Sequence, residues 1–229
     1  MYDKNADVSP FNAMPPVVVA LTVVIALIEA AFQLADAGLV GGAQGAGWRL
    51  AALQDYGFFP RIFGAMWDQN VFPLEHMQRF FTFSFVHRSL IDAAFGCVIV
   101  LAIGKSVGEV FGPVRFLIVF FASAALGALV YGMTGDEFPL LGAYTGGYGL
   151  IGAFTFLMWV RLAATGDNEM RAFTLIAFLM GIQLVFGLLF GGGLSWMGDL
   201  FAFVAGFGLA FLLSPGGWQR VLQKLRQRR

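Results

Sequence analysis

Six stretches of the chain are apolar over the length needed to cross a bilayer. A spanning α-helix needs about 20 predominantly apolar residues, and we predict such helices at residues 16–40, 79–104, 113–134, 139–160, 172–191 and 194–214. The first run carries Glu29 and Asp36, and the second carries Arg88 and Asp92, whereas the others are more purely apolar. The pattern predicts an all-α membrane protein with six transmembrane helices.

The connection between the first two predicted helices, residues 41–78, is long and rich in aromatic side chains. Amphipathic segments of this kind tend to lie in the membrane interface, and we therefore predict a long amphipathic first loop that lies on the membrane. The other connections are short and contain turn residues at 135–137, 166–168 and 191–193.

Composition excludes several classes of protein. Hydrophobic residues make up 59% of the chain and charged residues only 12%, whereas soluble domains carry about 25% charged residues. The formal net charge is zero, so no basic signature for nucleic acid is present. The single cysteine, Cys97, excludes an internal disulfide, and we predict neither a metal site nor a cofactor.

The distribution of Lys and Arg predicts the orientation in the membrane. With both termini cytoplasmic, ten of the fourteen basic residues lie on that side: Lys4, Lys105, Arg115, Arg161, Arg171, Arg220, Lys224, Arg226, Arg228 and Arg229. We accordingly expect a cytoplasmic N-terminus at residues 1–15, a membrane domain at 16–214 and a basic cytoplasmic tail at 215–229. The first ten residues make a poor signal-peptide n-region, and we expect a bacterial inner membrane protein.

Three short motifs narrow the interpretation. Residues 78–87 read QRFFTFSFVH, residues 142–153 read GAYTGGYGLIGA, and residues 199–206 read DLFAFVAG. They resemble three motifs of the rhomboid family of intramembrane serine proteases. These are a Trp-Arg pair followed by Thr and His before helix two, a Gly-Ala-Ser-Gly motif continuing to Gly-Leu-Leu-Gly-Ala in helix four, and a His followed by small residues in helix six. The resemblance covers residues 16–214 and implies a six-helix rhomboid-like bundle.

The positions that the family uses for catalysis have changed in this chain. The nucleophilic Ser falls on Tyr144, and the Gly after it falls on Thr145. The base His falls on Asp199, and the His and Asn on the oxyanion side fall on Asp92 and Gly96. Four of these changes fall on active-site positions in three helices and indicate lost catalysis: those at Tyr144, Asp199, Asp92 and Gly96.

The chemistry of the replacements supports that interpretation. A Ser-His pair needs a compact nucleophile, a base that titrates near neutrality, and donors aimed at the oxyanion. Tyr144 is bulky, and Asp199 is a poor base for a hydroxyl because carboxyl groups ordinarily ionise far below neutral pH. Asp92 would repel an oxyanion, and Gly96 offers no side-chain donor. We therefore predict that no intact catalytic dyad is present.

Other contacts are expected to replace the dyad. We place Tyr144 and Asp199 each about five residues into its helix, at similar depth, and predict that the phenol donates to the carboxylate. Arg88 is expected to pair with Asp92 one helical turn later, and Asp92 and Asp199 could alternatively converge on a cation or a proton. Glu29 and Asp36 share a face of helix one and are expected to line a helix interface or the outer rim.

The remaining residues that match the motifs are assigned structural roles: Arg79, His87, Arg88, Gly142, Gly146, Gly149, Gly152, Ala202 and Gly206. The glycines of helix four recur at spacings of three and four, which allows close approach of neighbouring helices.

The resemblance leaves three functions open. The leading one, by analogy with Derlins and inactive rhomboids, is a non-catalytic protein that binds transmembrane helices of partner proteins as scaffold, assembly factor or accessory subunit. The second is a protease with a displaced site that uses Thr145 or Ser195 with His87. The third is ion or lipid transport through the polar cavity. The expected partners are the lipid bilayer and helices of another membrane protein, and not nucleic acid.

Overall fold

A computed structural model of the chain describes residues 13–190 and 193–214, and these residues are almost entirely helical. The α-helices are α1 (Pro16–Asp36), α2 (Trp48–Tyr56), α3 (Pro60–Gln69), α4 (Leu74–Met77), α5 (Arg79–Thr82), α6 (Leu90–Gly132), α7 (Tyr144–Thr165), α8 (Thr174–Phe190) and α9 (Ser195–Leu213). Short 3-10 helices lie at Gly42–Gly47, Phe83–Phe85 and Glu169–Phe173. The predicted all-α class is confirmed for this part of the chain. The predicted N-terminal segment up to residue 12 and the basic tail at 215–229 lie outside it.

Four of the described helices, α1, α6, α7 and α9, are long and apolar enough to cross a membrane, where the sequence predicted six. Two of the predicted helices are joined in α6, which runs for 43 residues. Helix α8 has only 17 residues, which is short for a span of about 20.

Helix α6 is interrupted near its middle. Gly112 has φ 76° and ψ 176°, and Pro113 follows it. A positive φ favours glycine, and proline lacks the N–H that a continuing helix needs. A Cβ added at Gly104 would lie 3.1 Å from the ring of Phe116, although twelve residues of straight helix would separate the two positions by about 18 Å. The chain therefore turns back on itself at Gly112.

Two predicted helix starts are wrong by several residues. Residues 79–89 form the short α5, a 3-10 helix and a non-helical segment instead of the start of the second helix. Helix α6 begins after Ser89, whose Oγ accepts from the Asp92 N–H at 3.2 Å. Such a cap satisfies an amide that the first helical turn leaves free. The fourth helix begins at Tyr144 and not at residue 139, because Leu140 forms a two-way backbone bridge with Phe58 in the first loop.

The centre of the molecule is built from α6, α7 and α9, which pack closely through small residues. A Cβ added at Gly206 would overlap the carbonyl oxygen of Gly149, and one at Gly152 would overlap that of Phe203. Ala202 is fully buried, and a Cβ at Gly146 would meet the ring of Phe120 at 2.6 Å. Backbone-to-backbone approach of this kind is what small residues permit between membrane helices.

The long first loop, residues 41–78, folds into α2, α3 and α4, and α5 follows it. Phe58 and Phe63 of the loop form a buried cluster with Phe80 and Phe83, which follow the loop, and with Tyr131 of α6. Other large apolar side chains of the loop point outward, among them Leu50, Trp67 and Leu74. The loop thus has one face packed on the bundle and another that exposes apolar surface.

Helix α8 is the most peripheral long helix. It packs against α9 and against the 3-10 helix Glu169–Phe173, and it exposes the large side chains of Phe178, Ile182, Val185 and Leu189. An apolar surface of this extent fits contact with lipid or with another membrane helix.

Candidate functional site

Tyr144, at the position of the family's nucleophile, is the first residue of α7. Its phenol donates to the backbone carbonyl of Asp92 at 3.0 Å. The predicted hydrogen bond from Tyr144 to Asp199 is therefore wrong. The physical reason is the later start of α7: Tyr144 is the first residue of its helix and reaches the first turn of α6, whereas Asp199 is the fifth residue of α9.

Asp199, at the position of the base, is bound by two neutral donors. Its Oδ1 accepts from the hydroxyl of Thr145 at 3.0 Å, and its Oδ2 accepts from the Gln183 amide at 3.0 Å. The exposed fractions of Asp199 and Thr145 are 6% and 2%. The carboxylate consequently joins α7, α8 and α9 inside the bundle. Sequence reasoning missed Gln183, although a single amide in the otherwise apolar run of α8 was a usable signal.

Asp92 acts at the start of α6. Its carboxylate accepts from the backbone N–H of Arg88 at 3.0 Å, and the Arg88 guanidinium donates to the carbonyl of Pro139 at 3.4 Å. The expected side-chain ion pair between Arg88 and Asp92 is absent, because Arg88 precedes the helix and does not share a helical face with Asp92. Asp92 and Asp199 also have separate sets of partners, so the two carboxylates do not form a shared site through these hydrogen bonds.

His87 occupies the space beside Gly96. It is 1% exposed, and its Nε2 accepts from the backbone N–H of Ala143 at 3.1 Å. A Cβ at Gly96 would lie 2.9 Å from that nitrogen, and one at Gly142 would lie 2.8 Å from the ring carbon Cδ2. Burial lowers the pKa of His87, with the Asp92 carboxylate acting in the opposite direction, and a neutral ring is what an acceptor nitrogen requires.

Arg79 of α5 binds the end of α2 and the segment between α2 and α3 in the first loop. Its Nη1 donates to the carbonyls of Gln54 at 2.6 Å and Gly57 at 2.9 Å, and the residue is 7% exposed. Burial lowers the pKa of this guanidinium, and the carboxylates of Asp55 and Glu75 partly oppose that effect. The ring of Phe59 lies under the guanidinium at 5.9 Å.

Arg49 was not singled out by sequence reasoning and is the partner of both acidic residues of α1. Its Nη1 and Nη2 donate to the two carboxylate oxygens of Glu29 at 2.9 and 2.8 Å, and its Nε lies 3.4 Å from Asp36. Nη1 also donates to the carbonyl of His87 at 3.2 Å. The hydrogen bond that Arg49 donates to Glu29 raises the pKa of Arg49. Glu29 thus lies at an interface, as expected, and that interface is with the first loop.

The arrangement has the features of a structural polar network more than of a reaction centre. Thr145 is a hydroxyl bonded to a carboxylate, but both groups are buried and the carboxylate has a second donor. Among residues 13–190 and 193–214, no cluster of three or more His, Cys, Asp or Glu side chains could hold a metal ion. His87, the base in the displaced-site alternative, already accepts a hydrogen bond through Nε2.

Comparison with known proteins agrees with the motifs. The family model described as "Rhomboid domain" matches residues 74–216, more than half of the chain. The chain is 28% identical to Rhomboid-like protease 3 of Toxoplasma gondii over 128 residues. This aligned region covers 55% of this chain and 47% of that protein. The chain thus spans about half the length of this curated relative.

Proposed function

Because the chain belongs to the rhomboid family, we propose that it is a non-catalytic member that binds transmembrane segments of partner proteins as a scaffold, assembly factor or accessory subunit. One observation carries the proposal. The side chains at the nucleophile and base positions are each bonded to other groups: the Tyr144 phenol binds the Asp92 carbonyl, and Asp199 binds Thr145 and Gln183.

The oxyanion side supports the same conclusion. An oxyanion hole needs donors that are free to meet developing negative charge. The Ala143 N–H, which immediately precedes the nucleophile position, is used by His87. Gly96 contributes no side chain, and its missing Cβ leaves room for the His87 ring. We propose on these grounds that Arg79, His87, Arg88 and the helix-four glycines maintain the scaffold.

A displaced-site protease is the second candidate, because the name of the Toxoplasma relative includes protease and because Thr145 is paired with a carboxylate at 3.0 Å. The exposed fraction of Thr145 is only 2%, so a peptide carbonyl would have to displace packed helices to reach its hydroxyl. This burial favours the non-catalytic function.

We also propose that the chain crosses the membrane six times, with both termini in the cytoplasm of a bacterial cell. The reversal at Gly112 supports two crossings by α6, and α8 would supply the fifth. Lys105 and Arg115, near that reversal, and Arg161 and Arg171, near the connection between α7 and α8, then lie on one side, as the positive-inside rule requires.

Two measurements on the full chain in mild detergent test the function. A fluorophosphonate probe is expected to leave the protein unlabelled under conditions that label an active rhomboid. Affinity purification of the tagged chain is expected to retain a membrane protein in stoichiometric amount.

The matched variants are Thr145→Val, which removes the hydroxyl while keeping the branched shape, and Tyr144→Phe, which removes the phenol hydroxyl. Probe labelling or peptide cleavage that disappears in Thr145→Val and persists in Tyr144→Phe would establish the displaced-site protease instead.

A further inference from the structure

A cavity in the first loop has no role in the proposed function. It lies between α3 and the turn that leads to α4 and has a volume of about 360 Å³. Apolar side chains of Ile62, Met66 and Val71 line it together with the polar side chains of Arg61, Gln69 and His76. A volume of this size falls within the range of small-molecule sites.

The polar groups of this cavity have unused donors. Within the described chain, the Arg61 guanidinium is paired with Glu137 through Nη2 only, and its side chain is 69% exposed. A guanidinium has five N–H donors in a planar fork, so several are left for a ligand. The side chain of His76 makes no hydrogen bond among the described residues, and its Nδ1 lies 3.9 Å from Glu75, beyond hydrogen-bond distance. A guanidinium and an imidazole in the lining of one cavity supply N–H donors that favour a phosphate or a carboxylate.

The chain beside the lining residues is apolar and exposed. Val71 lines the cavity and is 54% exposed, and the chain neighbours of the lining residue Pro73, which are Phe72 and Leu74, are 46% and 83% exposed. A free inorganic anion would gain nothing from such a rim, whereas the acyl chains of an amphiphile would cover it.

The position of the cavity matches the depth of lipid phosphates. Arg61 pairs with Glu137, which lies in the connection between the end of α6 at Gly132 and the start of α7 at Tyr144. This is the level at which the apolar spans end and the headgroup region begins.

We propose that this cavity binds the phosphodiester headgroup of a membrane phospholipid, with Arg61 and His76 contacting the phosphate and with the acyl chains lying along Phe72 and Leu74. The site would attach the first loop to one bound lipid. It is independent of whether the chain is a protease or a scaffold, because it uses none of the residues of α7 or α9.

Native mass spectrometry of the full chain released from detergent tests the site. The chain is titrated with phosphatidylglycerol, with diacylglycerol, which lacks the phosphate, and with phosphatidylglycerol in the presence of inorganic phosphate. The variants are Arg61→Gln, His76→Gln and the double variant. Arg171→Gln, an exposed arginine in the 3-10 helix Glu169–Phe173, is the matched control.

The wild type and Arg171→Gln are expected to bind phosphatidylglycerol equally. Each single variant should bind it about tenfold more weakly and the double variant about a hundredfold more weakly, since each lost charge-assisted hydrogen bond weakens binding by about a factor of ten. Thermal unfolding of each variant checks that the fold is kept, and the exposed Arg61 makes Arg61→Gln the safest of them.

Three results would overturn the proposal. They are equal lipid affinity in Arg61→Gln and wild type, diacylglycerol binding as tight as that of phosphatidylglycerol, and displacement of the lipid by an equal concentration of inorganic phosphate. The last result would indicate a free-anion site in place of a lipid site.

Discussion

The ion pair between Arg49 and Glu29 gives the sharpest test of how the first loop is held. Arg49→Met keeps an unbranched side chain of similar reach and removes the charge. It deletes the two hydrogen bonds to Glu29, at 2.8 and 2.9 Å, and the one to the His87 carbonyl. It also removes the guanidinium that lies 5.2 Å from the Phe32 ring.

The size of the effect follows from burial. The side chains of Glu29 and Arg49 are 4% and 13% exposed, so Arg49→Met leaves a carboxylate buried without its counter-charge. Removing one partner of a buried pair costs about 3–5 kcal/mol, whereas replacing both partners is often much less harmful. We expect Arg49→Met to lower the free energy of unfolding by about 3–5 kcal/mol, and the double variant Glu29→Gln/Arg49→Met to lower it by clearly less.

Unfolding of the full chain in mixed micelles, followed by circular dichroism as denaturing detergent is added, measures these differences. The matched control is Arg61→Met, since Arg61 and Glu137 are paired but their side chains are 69% and 73% exposed. Exposed pairs contribute about 0–1 kcal/mol, and the control should unfold close to the wild type.

Two results would refute the reasoning. Equal costs for Arg49→Met and Arg61→Met would show that burial does not strengthen the Arg49 pair. A double variant as unstable as Arg49→Met would show that lost packing, and not the uncompensated carboxylate, causes the loss.

Three further predictions concern the bundle itself. Gly206→Ala should destabilise the protein by about 1–3 kcal/mol in the same unfolding assay, because its Cβ would overlap the Gly149 carbonyl. Gly208→Ala has nothing within 4 Å of the added carbon and should be tolerated. Equal costs for the two variants would contradict the close packing at Gly206. Burial lowers the pKa of His87 below its ordinary 6.5, so the unfolded state takes up the proton first as the pH falls. The contribution of His87 to the free energy of unfolding should be fully present above pH 6.5 and should decrease as the pH drops below it. His87→Gln should flatten that part of the curve of unfolding free energy against pH. Asp199→Ala should cost about 1–3 kcal/mol by leaving the buried Thr145 donor and the partly buried Gln183 donor without an acceptor. Asp199→Asn should cost less, and the opposite ranking in the unfolding assay would disprove this order.

Much of the fold could be predicted from the linear pattern. The apolar runs identified the long helices to within a few residues at most ends, because burial in lipid requires about 20 apolar residues whatever the neighbours are. The three motifs identified the rhomboid family, and the family match over residues 74–216 confirms it. Helix ends were less predictable: the start of α7 depends on the backbone bridge between Leu140 and Phe58, which are 82 positions apart.

Local composition was enough to predict an apolar, helical membrane protein, and the motifs were enough to assign the residues at the family's catalytic positions. The hydrogen-bond partners could be read only from the folded chain: Thr145 and Gln183 for Asp199, the Asp92 carbonyl for Tyr144, and Arg49 for Glu29 of α1. The difference lies in the distance over which each effect acts. Partition into lipid depends on local composition, whereas a hydrogen bond forms only within about 3 Å, and the start and packing of helices far apart in the chain set which groups come that close.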